Sequence, residues 1–196
     1  MKNWEKYRYQ DSMSRSLKFR RLVWNIVWTF AFRPTPRGAL NGWRRTILRM
    51  FGAKIGKGSL IAPSCFVWAP WNLEMGHYSV LGDHVDCYSM ARISIGSKVA
   101  VSQRSFLCAG THDVTSLLRP LVTKPISIGD HCWISAESMI LPGVNIAEGA
   151  VVGARSLVTK DLPAWYICAG NPCRPIKIRK IAQDADAPGV IHSHVA

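Results

Sequence analysis

His112 is the side chain best placed to do chemistry. It follows the small, polar, turn-like run Ala109-Gly110-Thr111 and precedes Asp113. It also stands immediately before the one long break in a six-residue repeat that runs through the chain. Insertions from a repeat array often build a binding edge. A neutral imidazole there can take the proton of an attacking hydroxyl. The other reading is a corner histidine hydrogen-bonded to the backbone, and the residues alone leave both open. His77, His84 and His131 occupy different places in their hexapeptides, so they do not stack as a three-histidine zinc set. The pair His192 and His194 reads as solvated tail. The six cysteines form no CxxC and no Cys/His cluster of zinc spacing, which fits reduced thiols better than a metal or disulfide framework. No nucleophile elbow and no phosphate-binding Gly-rich loop occurs.

The element that must position His112 is the repeat. Aliphatic residues recur at Ile55, Ile61, Val67, then Met75, Leu81, Cys87, then Ile95, Val101, Leu107, and after a gap at Ile128, Ile134, Ile140, Ile146, Val152, Val158. Only Cys87 is neither aliphatic nor Met. Four residues further on stands a small or β-branched residue, except at Trp71 and Leu162. A period of six fits neither a helix nor an amphipathic strand. It fits a short strand plus a corner, three times per turn, with the large residue inside a triangular prism and the small one at the crowded corner. The predicted fold is an all-β solenoid, a parallel β-helix of about five coils starting at 55, 75, 95, 128 and 146. The first two coils carry two extra corner residues, and a loop leaves at 113–127. A β-sandwich has no reason to hold such a register.

The flanks differ in charge. Residues 1–60 hold 14 Lys/Arg against Glu5 and Asp11, whereas residues 61–196 hold 11 Lys/Arg against 10 Asp/Glu. A nearly neutral body argues against nucleic acid as a partner. The segment 1–54 is read as a basic, partly helical cap. It contains a helix over 14–32 with an apolar face of Leu17, Leu22, Val23, Ile26, Val27 and Phe30, ended by Pro34 and Pro36, and a second helix over 40–51. This segment either covers the open end of the solenoid or lies on an anionic membrane through residues 14–51, and both can hold. The apolar run Leu22 to Phe32 is too short to span a bilayer. No secretory signal is visible, so a cytoplasmic protein is expected, peripheral on the inner membrane face if the segment binds lipid. Residues 164–182 are read as a short C-terminal element and 183–196 as a disordered tail.

Residues 55–180 resemble the hexapeptide-repeat acyltransferases of the maltose, galactoside and xenobiotic O-acetyltransferase type. The motifs are Ile128-Gly129-Asp130-His131-Cys132-Trp133-Ile134, Leu141-Pro142-Gly143-Val144, Val152-Gly153-Ala154-Arg155-Ser156, Val158-Thr159-Lys160-Asp161 and Gly170-Asn171-Pro172. Trp24-Asn25-Ile26-Val27-Trp28, Phe51-Gly52-Ala53-Lys54-Ile55-Gly56 and Trp68-Ala69-Pro70-Trp71-Asn72-Leu73 resemble the colanic acid biosynthesis branch. The resemblance implies a left-handed coil, a homotrimer, and acetyl-CoA as co-substrate in a groove between subunits, with no metal. It implies His112 as general base for a sugar hydroxyl of an exopolysaccharide or its lipid-linked precursor. It also implies an acyl-CoA site. Trp133 matches the aromatic beside the pantetheine arm. Ala136 stands where relatives place a hydrogen-bonding serine. Ala154 matches a backbone contact, Thr159 and Lys160 lie near the nucleotide end, and Arg174 and Lys177 near phosphate. The acceptor asparagine and aspartate of the family have no clear match. Asp86, Tyr88 and Asp113 are the candidates facing the acceptor, and relatives often carry Asn at Ser89. Sugar N-acetyl transfer and a non-catalytic trimeric scaffold are the alternatives.

Overall fold

The structure is a computed structural model that describes residues 13–181. The tail expected from residue 183, with His192 and His194, lies outside the described residues.

The six-residue period becomes three parallel sheets around a prism. Face A holds strands Lys54–Ile55, Leu73–Met75, Ile93–Ile95, Ile126–Ile128 and Asn145–Ile146. Face B holds Leu60–Ile61, Val80–Leu81, Ala100–Val101, Trp133–Ile134, Val151–Val152, Tyr166–Gly170 and Cys173–Ile178. Face C holds Phe66–Val67, Asp86–Tyr88, Phe106–Cys108, Met139–Ile140 and Leu157–Val158. The register is the one the repeat predicts. Ile55, Met75, Ile95, Ile128 and Ile146 pair in sequence on face A. Ile61, Leu81, Val101, Ile134 and Val152 do so on face B, and Val67, Cys87, Leu107, Ile140 and Val158 on face C. All are buried.

Two expectations need correction. The chain begins a sixth turn rather than stopping at five: Leu162 bridges Ile146, and Cys168 pairs with Val152. The period hides this because Leu162 follows Val158 by four residues instead of six. The C-terminal element is then a hairpin, Tyr166–Gly170 against Cys173–Ile178, which extends face B. The break after the third coil also starts earlier than residue 113. Gly110–His112 already forms a strand, antiparallel to Leu121–Thr123.

Corner chemistry explains the small residues. Buried Ser59 and Ser79 donate to the carbonyls of Gly76 and Gly96 at 2.6 and 2.7 Å and accept from the N–H of Ser79 and Val99 at 3.1 and 3.0 Å. Ser105 and Ser138 donate similarly to Ser135 and Gly153 at 3.0 Å. Serine both fits these corners and bonds the backbone, whereas Val99 and Ala150 in the same column as Ser59 and Ser79 only fill the space. Between faces A and B, position 58 and its equivalents turn left-handed. The column is Gly58, Tyr78, Lys98, His131, Gly149 and Trp165, with φ from 55 to 74°. His131 and, at the next corner, His84 therefore serve backbone turns. All six cysteines are buried free thiols, and burial pushes those of Cys132 and Cys168 up to about 11.

The ladder has a polarity. Each coil donates its N–H groups to the next coil's carbonyls: Gly56, Leu60, Ala62, Phe66 and Trp68 donate to Met75, Ser79, Leu81, Val85 and Cys87. The corresponding first-coil carbonyls, on Ile55, Ser59, Ile61, Cys65 and Val67, have no coil beneath them. Buried carbonyls without donors cost about 1–3 kcal/mol each. The N-terminal segment supplies a donor to all five. The helices are α1 (Arg15–Val27), continued by a π-turn Trp28–Phe32, and α2 (Asn41–Met50). Arg49 donates to Ile55 at 2.5 and 3.2 Å. Asn41 and Arg45 donate to Ser59 at 2.9 and 3.1 Å, and Arg44 to Ile61 at 2.7 Å. Trp28 donates to Cys65 at 3.0 Å and Trp24 to Val67 at 2.6 Å. Arg21 adds a bond to the Trp68 carbonyl and stacks on that residue's ring. Arg44 is only 2% exposed. Its remaining N–H groups meet Thr35 Oγ1 and the carbonyls of Pro36, Ala39 and Arg37.

Capping is thus a donor problem. Arg and Trp fit it because their side chains donate without accepting. Donor placement then sets which face of α1 meets the solenoid. Trp24, Trp28 and Phe32 turn toward the solenoid, while Leu22, Ile26 and Phe30 point outward.

Trp24→Phe keeps the ring but strands the Val67 carbonyl. Its expected cost is about 1–3 kcal/mol in urea unfolding. Arg44→Leu, which removes several donors at once, is expected to cost more.

Candidate functional site

The edge between faces C and A carries the candidate site. In the third coil the chain leaves this edge as the hairpin Gly110–His112 and Leu121–Thr123. Its register pairs Gly110 with Thr123, Thr111 with Val122 and His112 with Leu121. The Lys124 N–H returns to the Ala109 carbonyl at 3.1 Å and closes the hairpin base. Gly110 is required at the departure point. A Cβ there would stand 3.2 Å from the Tyr88 ring and 3.1 Å from Met90 Cγ, tighter than ordinary contact.

His112 is exposed, and it lies in this hairpin rather than at a solenoid corner. Its Nδ1 is 2.7 Å from the Arg119 carbonyl. A carbonyl only accepts, so Nδ1 carries the hydrogen and the basic lone pair of the neutral ring is on Nε2. The tip beyond is self-bonded. Asp113 accepts from the Thr115 N–H and Oγ1 at 2.9 and 2.6 Å, which holds its carboxyl below the usual range. The Asp113 N–H reaches the Pro120 carbonyl at 3.0 Å. Asp113 therefore shapes the loop that presents Arg119 to His112. Arg119 escaped sequence reasoning because its contribution is a main-chain oxygen, which no residue type signals.

Asp86 and Tyr88 point outward from face C, one coil before the hairpin. Tyr88 pairs with Cys108, and its ring packs against Phe106 and Trp68. Asp86 is half-buried between Phe66 and Phe106. Its Oδ1 is buried without a hydrogen-bond partner, and burial pushes its carboxyl above the usual range. Ser89 is not available to an acceptor. It is buried, bonding the Ala69 N–H and carbonyl at 2.9 and 3.0 Å.

The remaining candidates divide between two edges. Thr159 and Lys160 are exposed on the C–A edge from which the hairpin leaves, two coils on, or about 10 Å along the prism at the usual strand spacing. Trp133 lies on face B, 49% exposed, its indole N–H bonded to Ser102 Oγ at 3.0 Å. Trp133, Val151, Ile167 and Lys177 form one row across that face. Ala136 and Ala154 stand at the B–C edge, where Arg155 N–H reaches the Ala136 carbonyl at 2.9 Å. Arg174 is exposed on the terminal strand, one N–H on the Cys173 carbonyl. One chain therefore gathers His112, Tyr88, Thr159 and Lys160 along one edge. It holds Trp133, Ala136, Ala154 and Lys177 on and beside face B. Among the described residues, no three His, Cys, Asp or Glu converge to hold a metal.

Asp86 has a raised native carboxyl, so ionisation opposes folding as pH climbs from the unfolded toward the native titration range. Asp86→Asn is expected to be more stable than the parent at pH 7. The gap should close below pH 3, where both states of the parent are protonated. Urea titrations at both pH values check this.

Known proteins resemble this chain. The family signature described as bacterial transferase hexapeptide (six repeats) matches residues 125–160. The "Putative colanic acid biosynthesis acetyltransferase WcaF" of Escherichia coli (strain K12) is 43% identical over 157 residues, covering 80% of this chain and 86% of that protein. The galactoside O-acetyltransferase of the same organism is 29% identical over 137 residues, covering 68% of each. A hexapeptide-repeat acetyltransferase of Vibrio cholerae O1 biovar eltor, solved with acetyl coenzyme A, superposes with a TM-score of 0.76 at 22% identity. That match covers 92% of this chain and 100% of that one, and it shows the shared fold. On its solenoid register and its identity to these proteins, the chain belongs to the hexapeptide-repeat acetyltransferase family.

Proposed function

We propose that this acetyltransferase moves the acetyl group of acetyl-CoA to a sugar hydroxyl of an exopolysaccharide or its lipid-linked precursor, with His112 as general base. The observation that carries the reading is the Nδ1 bond from His112 to the Arg119 carbonyl at 2.7 Å. It orients the ring and, because a carbonyl only accepts, puts the basic lone pair of the neutral imidazole on Nε2. The acceptor hydroxyl attacks the thioester carbonyl carbon, a C–O bond forms, and the C–S bond breaks. The hydroxyl proton passes to Nε2 and then to the departing thiolate. Such base catalysis contributes about 10²–10⁴ in rate. The relatives named for colanic acid and galactoside acetylation support a sugar acceptor, and the neighbour solved with acetyl coenzyme A supports the donor.

The division of candidates between two edges supports a homotrimer. A face of the prism spans six residues, at most about 20 Å. The His112 edge of one protomer and the Trp133 face of its neighbour then form the two walls of one groove. In it Trp133 packs along the pantetheine arm, with Ala136 and Ala154 giving backbone room. Thr159 and Lys160 meet the nucleotide end, and Arg174 and Lys177 meet phosphate. Lys177 acts there as a point charge, without the fork of an arginine. Asp86 and Tyr88 line the acceptor side.

His112→Ala should lower kcat/KM for acetyl transfer about 10²–10⁴-fold with unchanged acetyl-CoA affinity in calorimetry. Full retained transfer would sink the assignment. Arg174→Gln with Lys177→Gln should weaken acetyl-CoA binding about tenfold or more, with kcat nearly intact at saturation. Equal affinity in this variant removes both residues from the donor site.

A further inference from the structure

We infer that the outward face of α1 rests on an anionic lipid surface. The solenoid uses the other side of this helix, through Trp24, Trp28 and Arg21. What remains is a stripe of large apolar side chains: Phe19 is 66% exposed, Leu22 56%, Ile26 52% and Phe30 76%. Spacings of three, four and four residues stack them along one face. Met50, on α2, extends the stripe and is 76% exposed. With Phe19, Arg20, Val23, Phe51 and Gly52 it lines a shallow depression of about 350 Å³.

Charge selects the occupant. Residues 13–54 carry ten Lys/Arg and no Asp or Glu. Arg21, Arg44, Arg45 and Arg49 are committed to the carbonyls of the first coil, and Arg20 lies over the Trp71 ring. Arg15 is exposed beside the start of the stripe, and Arg33, whose guanidinium also lies over the Trp28 ring, is exposed at its end. An apolar stripe bordered by cations suits the headgroup boundary of an acidic bilayer, where apolar burial and electrostatic attraction add. A second copy on this face would bring Arg15 and Arg33 against their own kind. No helix among the described residues is long and apolar enough to cross a membrane, so the helix lies along the surface.

Truncation is a poor test, because it removes Trp24 and Trp28 from the solenoid end. Point substitutions on the outward face leave the cap intact. The full-length protein should co-sediment with vesicles of phosphatidylglycerol and phosphatidylcholine, and far less with phosphatidylcholine alone. Leu22→Ser with Ile26→Ser should lower partition to the acidic vesicles at least tenfold. Circular dichroism, sedimentation coefficient and acetyl transfer to a soluble acceptor should not change. Arg15→Gln with Arg33→Gln should also lower it about tenfold, and salt should weaken the parent's binding. Absent binding of the parent, or equal binding of parent and Ser variant, overturns the inference. A smaller assembly in the Ser variant also overturns it, by assigning the face to a second copy. Acetyl transfer to a soluble acceptor reads the enzymatic proposal separately, so the two can fail independently.

Discussion

A parallel solenoid has a direction, and its first coil carries the consequence. Every later coil has its carbonyls met by the N–H groups of the coil before it. The first coil has none before it, so five carbonyls at the open end need donors from elsewhere. Those donors come from Arg44, Arg45, Arg49, Asn41, Trp24 and Trp28. Much of the basic, Trp-rich character of the N-terminal segment follows from that need. The same bonds fix the rotation of α1 about its axis. Trp24 must reach Val67 and Trp28 must reach Cys65, so Leu22, Ile26 and Phe30 have only solvent or a partner to face. Burial presses on Arg44 and Arg21 and lowers their proton affinity, but arginine keeps its charge under such pressure. Lysine in those places would lack both the reach of several donors and that security.

The same geometry that makes the prism rigid makes it a poor place for a reacting group. Inward positions are filled by stacked aliphatic side chains, and corner positions are spent on serine ladders and left-handed turns. His112, the proposed base, escapes because the chain leaves the edge after Cys108 and pairs with itself. Its ring is then oriented by a main-chain oxygen of the same hairpin, not by the solenoid. Close behind, Gly110 lets the strand pass the Tyr88 ring, which ties the hairpin to coil two. Asp86 sits on that coil with one buried carboxylate oxygen that has no hydrogen-bond partner. Of the acyl-CoA candidates, Thr159 and Lys160 share the edge that the hairpin leaves, whereas Trp133, Ala136, Ala154 and Lys177 lie on or beside face B. The proposed trimer brings the two groups together by packing the side of one prism against the edge of the next.

Much of the solenoid was legible because a repeat converts tertiary contact into sequence spacing. Each large aliphatic residue at a period of six meets its own equivalent one coil away, so the pairs Ile55–Met75 and Ile134–Val152 could be read before any coordinates. His112 was legible for a related reason: it marks where the period stops. The sixth turn was not, because Leu162 arrives two residues early and the strand after it closes a hairpin. Nor was the start of the excursion, because Thr111 still satisfies the corner rule although the chain has already left the edge.

Periodicity and composition alone determined the prism, its register, the polar excursion and the concentration of positive charge. They could not determine which side of α1 meets the solenoid. The apolar face that includes Leu22, Ile26 and Phe30 leaves that open, because the solenoid end demands hydrogen-bond donors before it demands apolar surface, and hydropathy does not count donors. Nor could they show the bond from Arg119 to His112, made by a backbone atom whose position depends on the folded loop. They could not show that the candidate residues divide between two edges of one chain. Spacing along a repeat tells which residues stack. Which way a helix turns, where a loop folds back and which surfaces are left over are set by hydrogen bonds between distant segments, and these exist only once the chain has closed on itself.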